Sequence, residues 1–180
     1  RLADAFKIGD FATKSTISWA LEKCSEEKER FTARMALNGN LELLQFLHEN
    51  GCPWNESYNE DNEENTFEGT CSNAAQNGHL ECLRFAHENG CPWNKWTCSN
   101  AAKNGHLECL KYAHEKGCPW DQGSPWATPT CSYAAQNGHL ECLKFAHEHG
   151  CRWNEGTCHC AAAEGHLEIL TYLHENECPW

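Results

Sequence analysis

Methionine occurs once in 180 residues, and no apolar run approaches the ~20 residues that a membrane-spanning helix needs. Insertion into a bilayer is therefore not expected. Positive charge is scarce: 14 Lys and Arg stand against 26 Asp and Glu, for a net charge of -12 and a pI near 5.3. Such a chain is repelled by phosphate backbones, which argues against nucleic acid and anionic lipid as partners. There is no phosphate loop, no H-E-x-x-H and no G-x-S-x-G, and no signal peptide is visible. No enzyme activity and no cofactor are expected. The chain opens on Arg1 and stops at "CPW", inside a phrase used five times with one substitution, and so reads as a segment of a longer protein.

Cysteine, in contrast, is abundant at 14 residues. That density suggests a disulfide scaffold, yet such scaffolds are usually short and secreted. Here the cysteines follow an internal repeat, three to each full unit, and an odd number does not suit closed pairs within units. Buried thiols in a cytoplasmic or other reducing compartment are the expectation. The repeat shows in "TCSNAAQNGHLECLRFAHENGCPW", "TCSNAAKNGHLECLKYAHEKGCPW" and "TCSYAAQNGHLECLKFAHEHGCRW". Gly39, Gly78, Gly105, Gly138 and Gly165 mark it at spacings of 39, 27, 33 and 27 residues. Only the connection after "CPW" changes length. "ISWALEKC", residues 17–24, matches the end of a unit with its glycine lost, which makes six helix pairs with an irregular first one.

Each unit reads as two short helices. Thr70 is a candidate N-cap, its hydroxyl accepting a free backbone N–H. Ala74 and Ala75 favour helix and allow neighbours to come close. Asn77-Gly78 ends the first helix, and the second runs from Leu80 to about Asn89. Glu81, Arg84 and Glu88 share its wet face, while Cys82, Leu83 and Ala86 take the buried side. Helices this short do not stand alone in water. Stacking on like neighbours supplies the missing burial.

"AAQNGHLECLRFAHENG" resembles the ankyrin repeat, with its Ala-Ala pair, Gly-His-Leu-Glu turn and Glu-x-Gly ending. The resemblance covers residues 31–180 and implies an all-α ankyrin-type solenoid of helix pairs with short hairpins or loops. Five repeats fall at about 31–69, 70–96, 97–129, 130–156 and 157–180, behind a degenerate cap-like pair at 1–30. The family's Thr-Pro-Leu-His opening is replaced by "TCSN" or "TCSY", and its Ala-Asp-Val-Asn ending by "CPWN" or "CPWD". These replacements resemble the Cys-Pro-Trp arrays of protists, algae and large DNA viruses.

The cysteines and histidines look at first like metal ligands. Cys82, Cys109 and Cys142, however, align with Leu43 and Ile169, and Cys71, Cys98, Cys131 and Cys158 with Thr32. Those slots accept hydrophobes, and free cysteine behaves as a small one. Nine of the 11 histidines follow the repeat, whereas a catalytic base is needed once. Trp54, Trp93, Trp120, Trp153 and Trp180 follow it too and read as a packed spine whose indole N–H groups find acceptors. The acidic stretch 55–70 reads as a solvated loop; an acidic docking tip is its other reading. A zinc site between units, or a redox array along the cysteines, is the alternative function. A structural subunit of a larger assembly is another.

The resemblance implies protein–protein recognition through the concave face and hairpin tips. Positions repeated in every unit serve the stack, and positions that vary are open to specialisation. The varying series are Arg34, Asn73, Asn100, Tyr133, Cys160 and Leu37, Gln76, Lys103, Gln136, Ala163. Trp96 and Trp126 break the period and are assigned to connections. Aromatic and basic side chains are common interface anchors. The expected partner site is therefore Arg34, Gln76, Trp96, Asn100, Lys103, Trp126, Tyr133, Gln136 and His159, and the expected partner is another protein.

Overall fold

The computed structural model describes residues 28–55, 69–120 and 130–180. Residues 1–27 of the degenerate pair expected at 1–30, residues 56–68 of the acidic stretch 55–70, and Trp126 lie outside the described residues. Ten helices are present among those described: α1 Lys28–Leu37, α2 Leu41–Glu49, α3 Thr70–Gln76, α4 Leu80–Glu88, α5 Lys95–Lys103, α6 Leu107–Glu115, α7 Thr130–Gln136, α8 Leu140–Glu148, α9 Glu155–Ala163 and α10 Leu167–Glu175. No strand occurs among them, so the two connections that are described throughout, residues 89–94 and 149–154, are loops rather than hairpins of paired strands.

The odd helices form one row and the even helices another. The odd row is the closer packed, and its side chains show why. Ala74, Ala75, Ala101, Ala102, Ala134 and Ala135 are fully buried, together with Thr70, Thr97 and Thr130. Small residues let one helix axis approach the next, and hydroxyls then meet across each joint. Ser72 Oγ lies 3.3 Å from Thr97 Oγ1, Ser99 Oγ 3.0 Å from Thr130 Oγ1, and Ser132 Oγ 2.7 Å from Thr157 Oγ1. Each pair satisfies polar groups that burial would otherwise strand. The even row contributes the larger apolar side chains: Leu44, Leu83, Leu110, Leu143 and Leu173 are completely buried. Glu81, Arg84 and Glu88 are exposed, as the periodicity predicts.

The helix starts differ from expectation. Gly69 holds the cap position of α3, and Thr70 is its first helical residue. The Thr70 hydroxyl instead accepts the Asn55 N–H at 3.2 Å and donates to Thr32 at 3.4 Å. It ties the pair to the preceding one, a tertiary demand that local capping rules do not see. Where the connection is short, the helix begins earlier. Asn94 caps α5, its side chain accepting the Trp96 N–H at 3.0 Å. Trp96 therefore sits in the first turn of α5, not in a connection.

Helix ends follow the sequence. His106 N–H bonds the Ala101 carbonyl at 2.9 Å and Gly105 N–H the Ala102 carbonyl at 3.4 Å. This is the paired closure of a Schellman turn, with Gly105 left-handed at φ 76. Gly117 closes α6 in the same way, with φ 85. The two glycines differ in their surroundings. A Cβ on Gly105 would lie 2.6 Å from His139 Nδ1, whereas one on Gly117 would meet nothing within 4 Å. Gly117→Ala should therefore cost only the left-handed penalty, about 1–2 kcal/mol. Gly105→Ala should cost measurably more, because His139 must also leave its seat. Urea denaturation of the two variants side by side checks this; equal midpoints would mean that the histidine contact contributes nothing.

Candidate functional site

Two sets of chemistry-bearing side chains lie in this frame, one inside the joints and one on the outer face of the odd helices. Inside the joints, the late histidine of each even helix pairs with the tryptophan that follows it. His87 stacks on Trp93 with ring centroids 3.6 Å apart, and His147 on Trp153 at 3.4 Å. An aromatic ring of the next pair meets each indole edge-on: Phe85 on Trp54, Tyr112 on Trp93, Phe145 on Trp120 and Tyr172 on Trp153. The Trp54 indole N–H donates to the Asn89 carbonyl at 3.0 Å, and that of Trp120 to the His149 carbonyl at 3.0 Å. These carbonyls belong to helix ends that lack intrahelical partners. The expected tryptophan spine is present, and it spans the joints. Trp180 is 66% exposed, and no described pair stacks beyond it.

The turn histidines do different work. His79 Nε2 lies 3.1 Å from the Leu37 carbonyl, and His166 Nε2 3.0 Å from the Gln136 carbonyl. A carbonyl can only accept, so Nε2 carries the proton. His106 makes the equivalent bond to Gln76. Each imidazole thus covers the glycine of the preceding pair and bonds the end of its odd helix. Both histidine classes are committed to the stack.

The thiols are equally committed. Of the 13 described cysteines, 12 are buried and Cys160 is half-buried. The Cys71, Cys98 and Cys131 thiols donate to the carbonyls of Cys91, Cys118 and Cys151 at 3.9, 3.9 and 3.7 Å, and the neighbouring thiols of those residues, together with burial, hold Cys71, Cys98 and Cys131 well above the usual thiol range. Burial, with a nearby glutamate adding to it, pushes Cys82 and Cys142 up to about 11 and Cys109 up to about 12. The thiolate is the metal ligand and the nucleophile, and these sites disfavour it. Among the described residues, no three His, Cys, Asp or Glu side chains are grouped to hold a metal ion.

The outer face carries the varying positions. Arg34, Lys103, Gln136 and His159 are exposed; Gln76, Trp96 and Tyr133 are half-buried. Lys103 Nζ lies 5.9 Å from the Tyr133 ring centroid, and Lys95 Nζ 5.0 Å from that of Trp96. Lys103 and Tyr133 come from neighbouring odd helices and form one contiguous patch. Asn100 departs from the expected set. It is only 5% exposed, because its place in α5 faces the neighbouring odd helices, and its Nδ2 meets no acceptor among the described residues. Asn73, its equivalent one pair earlier, donates to the Ala33 carbonyl at 3.2 Å. The surface is thus formed without the Asn100 side chain. The signal in the sequence is that asparagine occupies both 73 and 100, equivalent places on consecutive odd helices and both buried.

Stacked helix pairs closed by glycine turns define a helical repeat solenoid. A family model described as ankyrin repeats (3 copies) matches residues 98–179, and one described as ankyrin repeats (many copies) matches 71–114. Together they span more than half of the 180 residues, and the chain belongs to the ankyrin repeat family. Among solved structures, the fold is similar to that of the human ASB11 ankyrin repeat domain, with a TM-score of 0.69 and 19% sequence identity. That match covers 82% of this chain and 69% of the other. A search of curated proteins gave no match.

The burial pattern makes two measurable statements. Maleimide labelling of the native protein should modify Cys160 before any other described thiol; first labelling at Cys82 or Cys109 would contradict the burial described. Tyr112 is 8% exposed, and its hydroxyl meets no partner among the described residues, where Phe85 and Phe145 fill the equivalent positions. Tyr112→Phe removes a stranded donor and should leave stability unchanged or raise it by up to about 1 kcal/mol. A fall of that size in thermal or denaturant unfolding would show that the hydroxyl has an acceptor.

Proposed function

We propose that the array is a protein–protein interaction scaffold that binds its partner through its concave face and hairpin tips, on the solvent-exposed side of the odd helices across the middle pairs. Repeats of this family generally mediate protein–protein interaction. The observation that carries the reading is the division of labour along the face. On this face the residues repeated from pair to pair, the threonines Thr70, Thr97 and Thr130 and the Ala-Ala pairs, are buried in the joints, whereas Arg34, Lys103, Gln136 and His159 stand at varying positions and are exposed. The Lys103–Tyr133 patch combines a cation with a half-buried ring, a pairing common among interface anchors. Gln76, Trp96 and Trp126 complete the proposed site, Trp126 on sequence grounds. The even-helix face is a poorer candidate, since Glu81, Glu108, Glu141 and Glu168 recur there in register. No helix of the described residues is long and apolar enough to cross a membrane. The buried thiols support a cytoplasmic or other reducing compartment.

The test uses the intact chain as bait and titration calorimetry on the captured partner. Tyr133→Ala and Trp126→Ala should each weaken binding by roughly 1–3 kcal/mol with little change in thermal unfolding. Lys103→Glu should act in the same direction, and it should not add fully to Tyr133→Ala, because the two side chains touch. Charge reversal at Glu81 or Glu141 should leave affinity nearly unchanged. Affinity that follows the glutamate variants and ignores Tyr133 would move the site to the other face.

A further inference from the structure

The charges of this chain are sorted by face. Each even helix from α4 to α10 carries an exposed glutamate in its first turn and ends on another. Lysines beside them are neutralised: Lys111 Nζ lies 2.9 Å from Glu108 Oε1, and Lys144 Nζ 2.9 Å from Glu141 Oε1. The odd helices follow another plan. α3, α5 and α7 contain no Asp or Glu. Lys103 at the end of α5 and Arg34 in the last turn of α1 are exposed, and neither forms an ion pair among the described residues. Lys103 lies over the Tyr133 ring, and Gln76 and Gln136 hold its place on the two flanking odd helices. A chain of net charge -12 thus keeps two cations without carboxylates on one face.

We propose, resting on the reading of this face as the partner site, that its occupant is an acidic segment of the partner protein, an extended stretch whose carboxylates meet Arg34 and Lys103 and whose chain crosses Tyr133. Gln76 and Gln136 add side-chain N–H donors for the same carboxylates or for the segment's own carbonyls. An acidic protein is at first sight a binder of basic ones. Salt limits that argument, because charges more than about 8 Å apart are largely screened at physiological ionic strength. Each carboxylate of the partner therefore responds to the nearest groups, which on α3, α5 and α7 are amides and a lysine. A basic segment would find no carboxylate on those three helices and would go to the glutamates of the even row.

The fold also sets limits on the occupant. Glu155 and Glu164 of α9 are exposed, so the favourable stretch runs from α1 to α7. α1, α3 and α5 are consecutive in the odd row. Packed helices lie about 8–10 Å apart, so the two steps from Arg34 to Lys103 make roughly 20 Å. About six residues of extended chain cover that distance. Nucleic acid is the poorer occupant, since a duplex brings one charge about every 1.7 Å and two cations cannot offset the repulsion between it and an acidic chain.

The test selects ligands from a displayed library of random peptides of about 12 residues, twice the span required, on the intact chain at low salt. Peptides enriched on the parent should be acidic, and the bias should vanish on the Arg34→Gln, Lys103→Gln double variant. Both side chains are exposed, and an unchanged thermal unfolding curve establishes that the variant is folded. The most enriched peptide, synthesised with a fluorescent label, should lose affinity by about two- to five-fold for each cation removed, the range of an exposed charge pair. It should also lose affinity by at least about three-fold when NaCl rises from about 50 to about 500 mM. Neutral or basic peptides that depend on Tyr133 would overturn the acidic occupant and leave the site in place. Acidic peptides indifferent to Arg34, Lys103 and Tyr133 would overturn the site as well. Failure to enrich any sequence, or equal Lys103-dependent binding of a labelled single-stranded DNA, would overturn the proposal.

Discussion

Each described helix has between seven and ten residues, too few to persist in water without neighbours. Everything else depends on how the joints between pairs relieve that deficit. Three contacts recur at them. Threonine and serine hydroxyls meet along the odd row, a turn histidine seats on the preceding glycine and its helix end, and a tryptophan bridges the even row. Each contact satisfies polar backbone or side-chain groups while it excludes water. The joint is therefore both the apolar core and the capping device, and a residue that fails in one role fails in the other.

That double duty explains why so much reactive chemistry lies idle. Histidine, cysteine and tryptophan are chosen here for shape and for a single polar handle. The thiols fill space beside alanines and stay protonated, because burial and their thiol neighbours oppose the thiolate. The imidazoles donate one N–H each to a carbonyl or lie flat on an indole. A repeated residue cannot be a unique catalytic group, and it is already spent on the stack. Residues outside the repeat are the ones at liberty to face a partner, and in the middle pairs they cluster around Lys103 and Tyr133.

The sequence by itself determined the solenoid, the turn within each pair at the Asn-Gly and Glu-Gly steps, the buried face of the even helices, and the burial of the thiols. All of these follow from periodicity and turn chemistry, which act over a few residues and repeat five times, so that errors at one unit are corrected by the others. Three things were decided only by tertiary structure. Thr70 is a helical residue bonded to Thr32, because the partner that claims its hydroxyl lies 38 positions away. Trp96 entered α5, because Asn94 became the cap once the short connection brought it to the helix start. Asn100 was withdrawn from the surface, because whether a varying side chain points out or into the next helix depends on the separation of helix axes. That separation is set by the small residues of both partners together, and no single stretch of chain encodes it.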